Sequence, residues 1–163
     1  MSAPNHDDPD HLFHEGVEAL HRDELPQAAA LFRRALELYK NLYGTERQQA
    51  DCLYNLANTV SDLGRRGEAE PLYRQALALY EQIDGTEKNQ ANCLNNLAAT
   101  VFNLGREGEA EPLYRRALTL YKALDGTEKN QAHCLHGLAT TVSDLGRVGE
   151  AEPLYRRALT LYK

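Results

Sequence analysis

The 30 residues from Cys93 to Lys122 are restated almost verbatim from Cys134 to Lys163, 41 positions later. Of these aligned positions, 24 are identical. The same interval separates the Ala-Glu-Pro-Leu-Tyr runs at Ala69, Ala110 and Ala151, and the Gly-Thr-Glu runs at Gly44, Gly85 and Gly126. It also separates Cys52, Cys93 and Cys134. A weaker first copy runs from His11 to Ala50. There Leu12, Gly16, Ala19, Ala28, Phe32, Ala35 and Leu36 stand where the second copy has Leu53, Ala57, Val60, Ala69, Tyr73, Ala76 and Leu77. A period of this length constrains the fold strongly. One short unit cannot bury its own apolar face, so the copies must stack and share a core.

Each copy reads as two helices. Asp8-Pro9 predicts an N-cap followed by proline in the first turn, opening a helix over about 9–21. Pro26 starts a second, to about Leu42. Gly44-Thr45 then predicts a left-handed glycine closing that helix and a threonine capping the next, with Thr45 and Gln48 at capping-box spacing. Later helices are expected near 46–63, 67–83, 87–104, 108–124, 128–145 and 149–163. Gly64–Gly67, Gly105–Gly108 and Gly146–Gly149 mark the turns within copies, and Pro71, Pro112 and Pro153 are expected in or just beyond the first turn of the second helices. No sustained alternation or β-branched run suggests a strand. The expected architecture is all-α: a right-handed α-solenoid of four stacked helix-turn-helix repeats. Residues 1–8 form a disordered tail and 9–163 the repeat domain, divided at about 9–44, 45–85, 86–126 and 127–163.

Composition narrows the function. A net charge of −6 argues against nucleic acid as the main partner. No apolar run approaches the roughly 20 residues of a membrane span, and the N-terminus has no apolar signal core. The expectation is a cytoplasmic chain without a membrane partner. Cysteines at matching places in neighbouring copies lie on the order of 10 Å apart, too far to bridge, and read as small packed side chains. His11/His14 and His133/His136 are i, i+3 pairs that could seat a transition metal. No third and fourth ligand is evident beside His133 and His136, so solvated pairs are the preferred reading. Glu111/Arg115 and Glu152/Arg156 read as i, i+4 ion pairs on an outer face. No nucleophile–base pair, phosphate-binding glycine loop or His-Glu-x-x-His run is present. The chain is read as no enzyme, without cofactor or metal.

The differences between the near-identical copies carry the functional signal. Five of the six are Asn95/His136, Asn96/Gly137, Ala99/Thr140, Phe102/Ser143 and Asn103/Asp144; the sixth is Glu107/Val148. At about 100° per residue the five fall within an arc of roughly 120°. Leu94, Leu97, Ala98, Val101 and Leu104, on the rest of the circumference, do not change. One face is therefore held by packing, and the other is free to meet a partner.

Leu53, Leu56, Ala57, Val60, Gly64, Ala69, Tyr73 and Ala76 resemble the spacing of the tetratricopeptide repeat. The run Cys93–Ala98 with Gly108–Leu118 is most similar to the kinesin light chain class, whose repeats are also long. The resemblance covers about residues 10–163. It implies a concave groove, lined by the first helices, that binds an extended peptide or protein segment. The groove would contain Asp51, Tyr54, Asn55, Asn58, Ser61 and Asp62; then Asn92, Asn95, Asn96, Ala99, Phe102 and Asn103; then His133, His136, Gly137, Thr140, Ser143 and Asp144. The first copy would add Phe13, His14, Val17, Leu20 and His21. Asn55 and Asn96 match an asparagine that in related proteins hydrogen-bonds peptide backbone. Positions that clamp a C-terminal carboxylate in other relatives hold Asp10, His14, Asn55, Asn92, Asn96, His133 and Gly137, with no Lys or Arg. The groove is thus expected to be neutral to mildly acidic, with Tyr54 and Phe102 as anchors, suited to a peptide with basic and apolar side chains.

The resemblance has departures. Glu15 stands where later copies have Leu56, Leu97 and Leu138, which marks the first copy as a looser cap. The last copy ends at Lys163 without a capping helix, leaving Leu154, Tyr155, Ala158 and Leu161 partly open. Two alternatives follow: a fragment of a longer array, or a self-assembling unit that forms a homo-oligomer through its C-terminal helix pair.

Overall fold

The computed structural model describes residues 7–163. Among these residues eight helices follow one another: α1 (Pro9–His21), α2 (Leu25–Lys40), α3 (Glu46–Asp62), α4 (Arg66–Tyr80), α5 (Glu87–Asn103), α6 (Glu107–Lys122), α7 (Glu128–Asp144) and α8 (Val148–Tyr162). Among the described residues there is no strand. Most of the expected tail over 1–8 lies outside the described residues. Asp8 lies within them and caps α1, its carboxylate accepting from the Asp10 N–H at 3.1 Å.

The helices sort into two units, one ending at Ile83 and the other beginning at Asp84. In the first, α1 packs on α2, α2 on α3, and α3 on α4. In the second, α5 packs on α6, α6 on α7, and α7 on α8, and α5 also touches α7. The unchanging residues make the core. Leu53, Leu56, Ala57 and Val60 of α3 are buried with Ala69, Tyr73 and Ala76 of α4; Leu94, Leu97, Ala98 and Val101 of α5 are buried with Ala110, Tyr114 and Ala117 of α6. Gly16 takes the alanine's place in the first copy for a steric reason. A Cβ there would stand 2.8 Å from the buried Phe32 ring.

The turns within copies place Gly64, Gly105 and Gly146 at positive φ, where a side chain meets its own backbone. The first copy puts Asp23 there instead, at φ 59. Gly44, Gly85 and Gly126 also have positive φ, as expected.

Two local expectations are corrected. Thr45 makes no side-chain cap to α3. Its hydroxyl donates to the carbonyls of Tyr39 (2.7 Å) and Leu42 (3.1 Å), and Gln49, not Gln48, donates to its oxygen. Thr127 does the same with Tyr121 and Leu124. These threonines tie off the preceding helix, whose last carbonyls lack intrahelical donors. The second helices accordingly stop a few residues short of expectation, the chain tightening through bonds such as Leu42 N–H to Tyr39 O. Pro71, Pro112 and Pro153 lie inside α4, α6 and α8, beyond the first turn. Each leaves the glycine carbonyl four residues earlier without its helical donor.

At α8 the apolar face is open. Gly149–Lys163 is identical to Gly108–Lys122, yet Leu159 is 63% exposed against 6% for Leu118, and Tyr162 56% against 1% for Tyr121. Packing on α7 covers the α6 residues. Ala158, expected to be partly open, is buried, whereas Leu154, Tyr155 and Leu161 are half-buried.

The anticipated ion pairs form on the second helices, Arg115–Glu111 at 2.8 Å and Arg156–Glu152 at 2.7 Å. Glu111 also accepts from Arg147, which belongs to the turn before α8, and so fastens the last two copies together. Burial pushes the Glu111 carboxyl up, but hydrogen bonds from Arg115 and Arg147 outweigh it and hold the group below its ordinary range. A depressed folded value means that the stabilisation is present above the unfolded carboxyl value, about 4.3, and is lost as pH falls through the folded value. Glu111→Gln is expected to cost about 1 kcal/mol at neutral pH, screening by solvent included. Urea denaturation should show that cost fading as the pH drops below about 4.

Candidate functional site

The first helices contribute two kinds of residue to their variable face. Some are engaged by tyrosines of the second helix. Asp10, Asp51 and Asn92 accept hydrogen bonds from the hydroxyls of Tyr39, Tyr80 and Tyr121. Asn58 accepts from Tyr73 at 2.5 Å. Asn55 donates to the Asp51 carbonyl of its own helix at 2.8 Å. These polar groups stabilise the helix pair before they meet anything else, and Asp10 and Asp51 present less free acid than the sequence suggests.

A second recurrent contact sits one turn further along. The ring of Phe13 leans on Phe32 with centroids 5.5 Å apart, Tyr54 on Tyr73 at 6.2 Å, and His136 on Tyr155 at 5.5 Å. The third copy breaks this series, since Asn95 stands in place of the ring. Asn95 was expected on the open face; it is buried, 6% exposed. Its amide donates to Asn96 at 3.4 Å, and its Oδ1 has no hydrogen-bond partner among the described residues. A short polar side chain cannot reach the surface that a Tyr or His reaches from the same position.

A pocket of about 260 Å³ opens on this face within the second unit. Ala99, Phe102 and Asn103 line it from α5, Tyr114 from α6, and His133, His136, Gly137 and Thr140 from α7. All but Tyr114 were singled out in the sequence. No Asp, Glu, Lys or Arg lines it. Tyr114 forms its floor and is buried, which pushes its hydroxyl up to about 12. Gly137 makes room for that ring: a Cβ there would stand 2.6 Å from the ring carbon. Thr140 donates to the His136 carbonyl and lies 2.9 Å from the Tyr155 hydroxyl. His133, His136, Asn103 and Asp144 are exposed, as is Asp62 in the first unit; Phe102, Thr140 and Tyr54 are half-buried. Tyr114 escaped the sequence reading because it is identical in three copies and reads as core. The available signal was the residue its hydroxyl should meet, which is Asn58, Ala99 or Thr140 in successive copies.

The other candidates do no comparable chemistry. His14 Nδ1 lies 2.6 Å from the Asp10 carbonyl and His11 Nε2 3.5 Å from Glu15. Among the described residues no three His, Cys, Asp or Glu side chains gather as a metal site. Cys52, Cys93 and Cys134 are buried, and burial pushes the Cys134 thiol up to about 12, far from a reactive thiolate. No described helix is long and apolar enough to cross a membrane.

A tetratricopeptide repeat family model matches residues 17–82 and 89–163, and a second matches 51–118. The chain belongs to the tetratricopeptide repeat family. Its fold is the all-α repeat solenoid of that family. Among solved structures, BtubC (BKLC) from P. vanneervenii is similar with a TM-score of 0.86 and 22% identity, over 95% of this chain and 65% of that one. Aspartyl phosphate phosphatase F from Bacillus subtilis gives 0.82 and 14%, over 94% of this chain and 39% of the phosphatase. MamA gives 0.76 and 14%, over 96% and 79%. This tetratricopeptide repeat chain thus spans less than two-thirds of the length of the first two, and identities this low speak for the fold alone. A comparison with curated proteins gives no match. Tetratricopeptide repeats are in general protein–protein interaction modules.

Asn95 offers a direct test of how this face is built. Asn95→Leu removes a buried unpaired oxygen while keeping the branched outline of the side chain, and thermal or urea unfolding should show a gain of about 1 kcal/mol.

Proposed function

We propose that this chain is a binding module that holds an extended peptide segment of a partner protein along the open face of its first helices. The observation that carries the reading is the pocket between α5 and α7. Apart from Tyr114, it is lined by residues at which the copies differ, while the packed faces behind it stay the same. Phe102 supplies an apolar wall at its mouth, and Asn103, His133 and His136 surround it with groups that both donate and accept. In the first unit Tyr54 and Asn55 occupy the corresponding face of α3. A basic side chain finds no carboxylate in the pocket itself; in the second unit the exposed Asp144 of α7 is an acid left for it. No Lys or Arg stands at the positions of a terminal-carboxylate clamp, which favours an internal segment. The role is that of a scaffold rather than an enzyme.

Selection from a displayed random-peptide library tests the proposal. Enriched peptides should bind the purified chain, and Phe102→Ala should weaken them about tenfold. Amidating the peptide C-terminus should leave affinity unchanged. Peptides that bind equally well to Phe102→Ala and to a variant with Asn55 and Asn96 both changed to Ala would remove this face from the account.

A second reading rests on α8, where Leu159 and Tyr162 are open although their counterparts in α6 are covered. A second copy of the chain could cover them, forming a homo-oligomer through the C-terminal helix pair. Light scattering over a concentration series should then show a rise in mass that Leu159→Glu abolishes. A monomer throughout ends that reading.

A further inference from the structure

The pocket is made by subtraction around one side chain. In each copy the second helix carries an aromatic ring at the same place: Phe32, Tyr73, Tyr114 and Tyr155. Tyr73 and Tyr155 have their hydroxyls satisfied inside the chain, the first by Asn58 and the second by Thr140. The matching residue for Tyr114 is Ala99, which has no polar atom to offer. The ring that leans on the other three aromatics is absent as well, because Asn95 replaces it. In the next first helix, Gly137 replaces the Asn, Asn and His of the other copies. Its missing Cβ would lie 2.7 Å from the Tyr114 oxygen. Three neighbours have shrunk together around one tyrosine, and its hydroxyl has no hydrogen-bond partner among the described residues.

We propose that Tyr114 is the recognition group of a side-chain pocket that takes a neutral amide on an apolar stem, glutamine above all, from the bound segment. This rests on the groove reading of the preceding subsection and goes further by naming what enters one pocket. The stem would lie between Phe102 and the methyl of Ala99. The amide carbonyl would accept from the Tyr114 hydroxyl, and the amide NH₂ would donate to that oxygen's lone pairs or to a rim imidazole. A charged end fits less well. A carboxylate or ammonium would give up its hydration on a buried floor that offers one neutral hydroxyl and no opposite charge. A purely apolar side chain would leave the hydroxyl unpaired, at the cost of a buried donor. The volume of about 260 Å³ lies just below the range of sites for drug-sized ligands and suits one side chain.

The test uses acetyl-glutamine N-methylamide as the probe, titrated into the isotope-labelled chain and followed by amide shifts in nuclear magnetic resonance. Saturable shifts are expected at Ala99, Phe102 and Gly137. The corresponding glutamate, lysine and methionine derivatives should each bind at least about fivefold more weakly, the worth of one buried neutral hydrogen bond. Tyr114→Phe keeps the ring and should lose about the same factor. Ala99→Asn copies the second copy's own solution, so it should satisfy Tyr114 internally, fill the pocket and abolish the shifts while the unfolding temperature holds or rises. Equal binding of all four probes, shifts confined to other residues, no saturable shift at millimolar probe, or an unchanged affinity in Tyr114→Phe would each overturn the proposal. The groove reading fails separately. Library-selected peptides that map to this face but tolerate any residue at the pocket would keep the groove and discard the glutamine. A chain that binds the glutamine probe but enriches no peptide would do the reverse.

Discussion

A helix pair in this protein presents more apolar surface than it can cover by itself, and every other feature follows from where the next helix lands. Gly108–Lys122 and Gly149–Lys163 are the same sequence in two settings. Packed under α7, the leucine and tyrosine of α6 leave water; in α8 their twins stay in it. Complete burial of a leucine contributes about 2 kcal/mol, so a covered face and an open one differ by a large part of a domain's net stability. The burial pattern is a property of the array, not of the unit.

The same requirement decides what the polar residues of the first helices are for. A second-helix tyrosine pushed into the core must find a partner for its hydroxyl. Asp10, Asp51, Asn58 and Asn92 supply one, which ties up side chains that, on sequence alone, look available to a ligand. What remains for a partner is the part of the face where internal pairing is finished or fails. In the third copy it fails at Tyr114, and that is where the pocket lies.

Much of this was legible in the residues. The period of 41, the glycine punctuation and the apolar spacing gave eight helices with correct starts to within a residue or so. The clustering of differences between copies led to six of the eight pocket residues, and the family resemblance added His133. Three things were not legible. Thr45 and Thr127 stand at the boundary between two helices, and sequence cannot say which end the hydroxyl serves; the reach to Tyr39 O and Tyr121 O decides it. Asn95 shares a position with Tyr54 and His136, but its short amide stays inside where their rings extend outward. Tyr114 was hidden because its own identity never changes between the later copies. Only its neighbours do, and they come from two other helices.

The sequence alone determined that this is a repeated helical array, because one amphipathic pair cannot bury its apolar face and its copies must share a core. It also determined which face of the first helices is free to vary, since packing forbids change on the other. The tertiary structure decided which polar groups on that face are already spent on tyrosine hydroxyls and which are not. That depends on distances between α5, α6 and α7, and a one-dimensional pattern holds no record of how far a side chain must reach to be satisfied.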